Sequence, residues 1–133
     1  MNVIKWVENS MPKTEDRELS IMALDNVKTA RAFHSSFPQY STTPLVRLKE
    51  LANLFGISEI FVKDEAWRFG LHAFKVLGGS FAMARHIAKV TGRDIKSLDY
   101  AALTSPELKN ELGDVTFFSA TDGNHGRGVA WAA

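Results

Sequence analysis

The feature that most constrains the fold is an apolar run at residues 115–120, VTFFSA, followed directly by a glycine-rich turn and a helical pattern. The run is rich in β-branched and aromatic residues, so it predicts a buried strand. Strand, glycine turn and helix in this order form the basic unit of α/β proteins. A second strand is predicted at residues 57–63, and the expected architecture is a parallel sheet covered by helices on both faces.

Apolar residues at helical spacing predict further helices along the chain. They cover residues 15–33, residues 45–55 with Gly56 as C-terminal cap, a segment from Gly79 or Ser80 to Gly92, and a segment beginning at Ser105-Pro106. Residues 37–44 are expected to be extended, because each proline disfavours the helical conformation of the residue before it.

Composition excludes several classes of protein. The 133 residues carry a net charge of +1, whereas nucleic-acid binders show a strong basic excess. No apolar run reaches the ~18 residues needed to cross a bilayer, and residues 1–9 lack the apolar core of a secretory signal. The absence of cysteine excludes disulfides and thiolate chemistry. We therefore expect a cytoplasmic protein that binds neither nucleic acid nor membrane.

The C-terminal residues predict that the chain is part of a longer protein. Residues 126–133, GRGVAWAA, begin a helical pattern that no stop signal ends. We expect an N-terminal extension with a helix over about residues 1–40 and the first part of an α/β core over about residues 41–133.

Lys75 is the first residue with the chemistry of a site. It lies in the segment AFKVLGGS, residues 73–80, ahead of a predicted helix start, and apolar residues flank it. The positive end of the helix dipole and partial desolvation would both favour the free amine over the ammonium ion. A free amine attacks carbonyl groups, so Lys75 is a candidate Schiff-base lysine. The alternative is a lysine that only solvates a loop.

The glycine-rich turn is the second candidate site. It follows a predicted strand and opens a helix, which is where open α/β sheets bind anionic ligands. Thr121, Asp122 and Asn124 add polar groups to it. The turn matches neither the dinucleotide fingerprint G-x-G-x-x-G nor the nucleotide P-loop with its lysine. A tight turn that simply caps a helix is the alternative.

Together the two segments are more specific than either alone. A lysine before Gly-Gly-Ser, and 49 residues later (124 − 75) the asparagine of a Thr-x-Gly-Asn-x-Gly turn, resembles the fold-type-II, tryptophan-synthase-β-like pyridoxal-phosphate enzymes. Within that family, three segments of this sequence resemble the diaminopropionate ammonia-lyases. They are the string TDGNHGRG, Thr43-Pro44-Leu45 and Lys63-Asp64-Glu65. The resemblance runs from about residue 30 to the last residue. It implies that the chain is the N-terminal part of a three-layer α/β catalytic domain.

The resemblance implies roles for individual residues. Lys75 matches the lysine that holds pyridoxal 5'-phosphate covalently and moves the substrate α-proton, and Phe74 matches the aromatic residue that packs on the pyridine ring. Asn124 matches the asparagine that hydrogen-bonds the 3-oxygen of that ring. The loop that grips the carboxylate of the amino-acid substrate is matched by Thr121, Asp122, Gly123, Asn124 and His125.

Asp122 indicates the subfamily, because dehydratases and synthases usually carry a small residue there. The resemblance implies that Asp122 is the base for the D-isomer and Lys75 the base for the L-isomer, each within about 3 Å of its proton. The implied reaction is the elimination of ammonia from 2,3-diaminopropionate, which gives pyruvate and ammonia. A threonine/serine dehydratase is the alternative enzyme. A truncated or split-gene remnant, with or without a complementary chain, is the non-enzyme alternative.

Two parts of the family's site have no counterpart in this sequence. The glycine loop around the cofactor phosphate and the residue facing the pyridine nitrogen lie further along the family's chain. Charge-assisted hydrogen bonds of this kind contribute roughly 1.5–3 kcal/mol each. We therefore expect the isolated chain to bind the cofactor weakly and not to turn over. Family members are commonly homodimers, which is the expectation for the whole enzyme.

The remaining histidines and aromatic residues have structural interpretations. His125 is expected to pack or to hydrogen-bond within the turn, and His72 to fill a loop. His34 has no partner at metal-ligand spacing, so no metal is expected. Trp67 and Phe69 are expected in the core rather than in a lid.

Overall fold

The computed structural model describes residue 10, residues 20–121 and residues 123–133. The first part of the predicted N-terminal helix, residues 15–19, and the predicted catalytic Asp122 lie outside the described residues. In chain order the elements are the 3-10 helix Ser20–Met22, α1 Leu24–Ser35, β1 Leu45–Arg47, α2 Lys49–Phe55, β2 Phe61–Lys63, the 3-10 segment Glu65–Gly70, α3 Lys75–Thr91, the 3-10 helix Ile95–Ser97, α4 Tyr100–Leu103, α5 Pro106–Leu112 and α6 Asn124–Ala132.

Helix ends lie where local sequence signals predicted them. Gly56 and Gly92 follow α2 and α3 in the left-handed conformation, with φ of 66° and 68°. Ser105 caps α5, because its Oγ accepts a hydrogen bond from the Leu108 amide at 3.2 Å, and Pro106 is the first helical residue. The helix after the glycine-rich turn, α6, is also confirmed.

The predicted start of α3 was wrong. The helix begins at Lys75, not at Gly79 or Ser80. Its buried residues are Val76, Ser80, Ala84 and Ala88, which recur every four residues along one face. Burial of this longer stripe outweighs the cost of about 1 kcal/mol for each glycine in the helix interior. Lys75 is therefore the first residue of α3 rather than part of a loop before it.

The sheet also differs from the expectation. β1 and β2 form an antiparallel pair in which Val46 lies opposite Val62. Residues 45–47, predicted as helix, are therefore strand, and the strand predicted at 57–63 is reduced to its last three residues. Residues 115–120 pair with no strand in the described part of the chain. A strand is defined by its hydrogen bonds to a neighbouring strand. Residues 115–120 have the composition of a strand but no neighbouring strand among the described residues, so they do not form one.

Two apolar groups stabilise the arrangement. Ala88, Leu98 and Leu108 join α3 to the segment that follows it. An aromatic group brings Phe37, Phe69 and Trp131 together, with ring centroids between 5.2 and 5.8 Å apart. Trp131 belongs to α6, so this second group ties the C-terminal helix to the segment that precedes Lys75.

Candidate functional site

Lys75 opens onto a pocket beside the glycine-rich turn. The pocket has a volume of about 450 Å³ and is lined by Lys75, Ala120, Thr121 and His125. Lys75 itself is half-buried, and Val76, the next residue, is 1% exposed. The fold thus brings a primary amine and a polar turn 46 residues later (121 − 75) to the same cavity.

Thr121 organises the turn. Its Oγ1 accepts hydrogen bonds from the amides of Gly123 at 3.0 Å and Gly126 at 2.5 Å. A Cβ on Gly126 would lie 2.8 Å from the Cβ of Thr121, so only glycine lets the turn close this tightly. Gly123 has a φ of 109°, which disfavours residues with a side chain.

His125 forms a hydrogen bond within the same turn. Its Nε2 lies within hydrogen-bonding distance of Ser119 Oγ, at 2.8 Å, and that hydroxyl donates to the carbonyl of Ala120 at 3.0 Å. The prediction of a local hydrogen bond for His125 is confirmed. The imidazole lines the Lys75 pocket as well.

Two other predicted site residues, Asn124 and Phe74, are exposed. Asn124 is the first residue of α6, which has nine residues, and its side chain is exposed. Phe74, before α3, is exposed as well. Neither is among the residues that line the Lys75 pocket. The structure therefore brings Lys75, Thr121 and His125 to one pocket, whereas Gly123, Asn124 and Phe74 are not among its lining residues.

Close packing between α3 and α6 fixes the distance between the two halves of the site. A Cβ on Gly128 would come within 2.9 Å of Val76 Cα and 3.0 Å of Val76 N. α6 therefore lies directly on the first turn of α3, next to Lys75. Gly128 makes this close approach possible, because it has no side chain. The sequence alone indicated Gly128 only as one of several glycines in the turn segment.

Sequence reasoning missed a buried ionic cluster ahead of Lys75. Arg68, 8% exposed, donates from Nε to Glu65 Oε2 at 2.8 Å and from Nη2 to Glu65 Oε1 at 2.9 Å. Arg68 also donates to Thr43 Oγ1 and the Ser41 carbonyl, both at 3.2 Å, and Thr43 donates to Glu65 at 2.6 Å. Hydrogen bonding to Arg68, and less to Thr43, outweighs burial and lowers the pKa of Glu65 to about 2. The one sequence signal for it was a Glu–Arg pair three residues apart.

The cluster precedes a strained stretch of backbone that leads to Lys75. Phe69 and His72 adopt positive φ values of 51° and 56°. Such residues persist where the surroundings hold them. Phe69 is buried as predicted, with its ring 5.2 Å from that of Trp131. The prediction that Trp67 is buried was wrong, because its indole N–H reaches Asp64 at 3.0 Å while the side chain stays exposed.

His34 is a second polar residue whose place the sequence did not indicate. It is buried at the end of α1 and lies 2.9 Å from the Leu77 carbonyl and 3.3 Å from Ser80 Oγ, both in α3. Burial lowers the pKa of His34, and the positive charge of Arg68 acts in the same direction.

Among the described residues, no group of three His, Asp or Glu side chains is arranged to hold a metal ion. None of the helices in the same residues is long and apolar enough to span a membrane.

A half-buried amine at a helix start, facing a glycine turn that opens a second helix, defines a site for a ligand with a carbonyl group and an anionic group. The residues present fit pyridoxal phosphate, whose aldehyde a lysine amine can attack. The chain belongs to the family described as "Pyridoxal-phosphate dependent enzyme", whose model matches residues 37–133.

Curated relatives give a narrower likeness. The chain is 54% identical over 102 residues to diaminopropionate ammonia-lyase of Salmonella typhimurium (strain LT2), and 48% identical over 114 residues to that of Escherichia coli (strain K12). These matches cover 77% and 85% of this chain. The chain spans about a quarter of the length of these relatives, 25% and 27%.

Solved structures agree. The apo form of Escherichia coli diaminopropionate ammonia lyase superposes with a TM-score of 0.73 at 48% identity, over 82% of this chain and 29% of that one. Its complex with an aminoacrylate-PLP azomethine reaction intermediate superposes with a TM-score of 0.72 at 45% identity, over 84% and 26%. The chain therefore has part of the fold-type-II α/β architecture.

Proposed function

We propose that this chain is the lysine-bearing part of a pyridoxal-phosphate-dependent ammonia-lyase that converts 2,3-diaminopropionate and water to pyruvate and two molecules of ammonia. The observation that carries the proposal is the shared pocket of Lys75, Thr121 and His125, in a chain about half identical to enzymes of that name. Because the chain spans a quarter of those relatives, the activity is proposed for the whole enzyme.

The proposal gives each residue around the pocket a task. Lys75 Nζ would hold the cofactor covalently at its aldehyde carbon, with loss of water, and would move the α-proton of an L-substrate. Asn124 Nδ2 donates to the ring oxygen, and Phe74 packs on the ring. The amides at the start of α6 bind the substrate carboxylate, as helix N-termini bind anions. When bound, pyridoxal phosphate supplies an electron sink for the pair left by the departing α-proton.

Asp122 has a separate part in the proposal. Its position in the sequence, directly after Thr121 of the pocket, supports the role that the family resemblance implies for it. We assign Asp122 as the base that removes the α-proton of the D-isomer. Lys75 and Asp122 then serve opposite faces of the same carbon, and the β-amino group leaves as ammonia.

Selective labelling tests the lysine assignment. The chain is mixed with pyridoxal phosphate, reduced with borohydride and mapped by mass spectrometry. Because the isolated chain is expected to bind the cofactor weakly, pyridoxal phosphate is used in excess, and Lys75 is expected to carry the main adduct among nine lysines. Lys75→Arg should abolish the adduct, whereas the matched variant Lys89→Arg, at the other end of α3, should retain it. Labelling spread over many lysines would contradict the proposal for this chain.

A chimera tests the reaction itself. Residues 37–133 of this chain replace the segment that they match in the Escherichia coli relative, and pyruvate release from L- and D-2,3-diaminopropionate is measured. Asp122→Asn is expected to abolish turnover of the D-isomer and to spare that of the L-isomer. Equal loss with both isomers would overturn the role of Asp122. Preference for L-threonine or L-serine would instead favour a dehydratase.

Two wider properties belong to the same proposal. We place the enzyme in the cytoplasm, because the sequence has no cysteine and its described helices include none that could span a membrane. We also propose a homodimer for the whole enzyme. Size measurement of the intact enzyme tests the second point, and a monomer would contradict it.

A further inference from the structure

The proposed reaction assigns no task to the contact between His34 and α3. His34 lies three residues before the part of the chain that the family model matches. Its ring is nevertheless buried against the helix that begins at Lys75. The buried side chain of His34 hydrogen-bonds a backbone carbonyl that lies 43 residues further along the chain. Buried polar groups in folded proteins are normally paired in this way, so the contact is part of the fold.

The geometry defines what the imidazole does. Nε2 lies 2.9 Å from the carbonyl oxygen of Leu77, the third residue of α3, so Nε2–H donates to that oxygen. Ser80 Oγ also donates to the Leu77 carbonyl at 3.3 Å, and it lies 3.3 Å from Nε2. The first turn of α3 is thus held from outside the helix at a point two residues after Lys75.

The ring that makes this bond is itself fixed. Phe33 and Phe81 contact it, with ring centroids at 5.0 and 6.0 Å. Burial lowers the pKa of His34 and Arg68, the charged group that acts on it, lowers it further; the backbone hydrogen bonds to Leu77 and Ala30 oppose this. A carbonyl oxygen can only accept a hydrogen bond, so Nε2 carries a proton and donates it to Leu77.

We infer that His34 is a positioning residue, which holds the Leu77 carbonyl and thereby sets the direction in which the Lys75 side chain leaves α3. The functional meaning of this inference rests on the proposed role of Lys75. His34 does not pair one of the first-turn amides but adds a hydrogen bond to a first-turn carbonyl, and a helix end frays unless contacts from outside hold it. Close packing by Gly128 holds this turn from one side, and His34 holds it through a hydrogen bond.

A test that needs no cofactor separates this inference from the proposed function. Lysine amines are methylated with formaldehyde and borohydride, and the rate at Lys75 is divided by the rate at Lys89, an exposed lysine of the same helix. His34→Phe keeps the aromatic packing and removes the donor. The ratio is expected to rise about fivefold, the factor that corresponds to a hydrogen bond of about 1 kcal/mol. His34→Gln, which keeps an N–H donor, is expected to restore most of the original ratio.

The control is a polar contact of α1 that does not reach Lys75. Ser36 Oγ donates to the Phe33 carbonyl at 2.7 Å and accepts from the Tyr100 amide at 2.9 Å. Ser36→Ala should lower the urea midpoint and leave the ratio unchanged. If His34→Phe does not fold, His34→Met replaces it as the variant without a donor. An unchanged ratio without the donor, an equal rise in Ser36→Ala, or no rescue by His34→Gln would overturn the inference.

Discussion

The two halves of the candidate site face the same pocket but are held in different ways. The lysine side, which is α3 with the Glu65–Gly70 segment before it, has buried residues in every turn and a satisfied ionic cluster. The turn side, residues 115–121 and 123–125, is largely exposed, and Phe118 is 91% exposed. Its hydrogen bonds are mostly local, such as those to Thr121 Oγ1. Long-range contacts therefore fix the lysine, whereas the turn depends on its own sequence and on α6.

The largest effect is expected on the lysine side at Glu65. Glu65→Gln leaves the buried Arg68 guanidinium without its carboxylate, which typically costs 3–5 kcal/mol. The side chain of Glu65 is 23% exposed, so we expect a loss of about 3 kcal/mol, near the lower end. Urea unfolding followed by circular dichroism measures it. Glu111→Gln breaks the exposed pair with Arg93 and should cost less than about 1 kcal/mol. Equal losses of stability would show that the buried Glu65–Arg68 cluster contributes no more than the exposed Glu111–Arg93 pair.

Acid should weaken the same cluster. The pKa of Glu65 falls from 4.5 to about 2 on folding, so its contribution is present above pH 4.5 and is lost as the pH falls toward 2. The shift corresponds to about 3 kcal/mol, and solvent screening reduces this to about 2–3 kcal/mol. Urea midpoints between pH 6 and pH 2 measure it (roughly the range that linkage covers). Glu65→Gln should show a smaller acid loss by that amount, and an identical pH profile would contradict the assignment.

The contact between the two sides should be sensitive to one methyl group. Gly128→Ala places a Cβ within 3.0 Å of backbone atoms of Val76, which cannot rotate away. Overpacking typically costs 1–3 kcal/mol, and the better helix propensity of alanine offsets up to about 1 kcal/mol. A net loss of about 1–2 kcal/mol is expected in urea unfolding. Gly78→Ala, whose Cβ meets nothing within 4 Å, should instead stabilise α3 by about 1 kcal/mol. If both variants were more stable than the original chain, α3 and α6 would have to move apart easily enough to accommodate the added Cβ of Gly128→Ala.

The smallest effect is expected on the turn side at Phe118. Because this ring is 91% exposed, Phe118→Ser should change the free energy of unfolding by less than about 0.5 kcal/mol. Phe69→Ala, in the aromatic group on the lysine side, should cost about 3 kcal/mol, which is no more than the loss expected for Glu65→Gln. Thermal and urea unfolding of the two variants compare the two sides directly. A comparable loss at Phe118 would mean that residues 115–120 are packed in solution.

Elements with local signals could be predicted from the sequence. The caps at Gly56, Gly92 and Ser105 lie within one helical turn of the residues that they terminate, so neighbouring positions contain the information. The same holds for the turn that opens α6, since Thr121 reaches amides only two and five residues further on. The resemblance also led to the family, because two long motifs identify it.

Elements that depend on distant partners could not be predicted. Residues 45–47 carry helical spacing, yet they pair with residues 61–63 and form a strand. α3 begins at Lys75, earlier than the sequence predicted, because its line of buried residues extends back to Val76. Val76 lies against Gly128 of α6. The roles proposed for Lys75, Asn124 and Asp122 stay predictions until labelling and turnover are measured.

By itself the sequence determined the family, the lysine, the glycine-rich turn and the helix caps, since each is a short pattern whose physics acts over a few residues. The tertiary structure alone decided that His34 would meet Leu77 and that Arg68 would join Glu65 to Thr43. These contacts join residues up to 43 positions apart. Burial makes an unpaired polar group costly, and which groups become buried together depends on the packing of the whole chain.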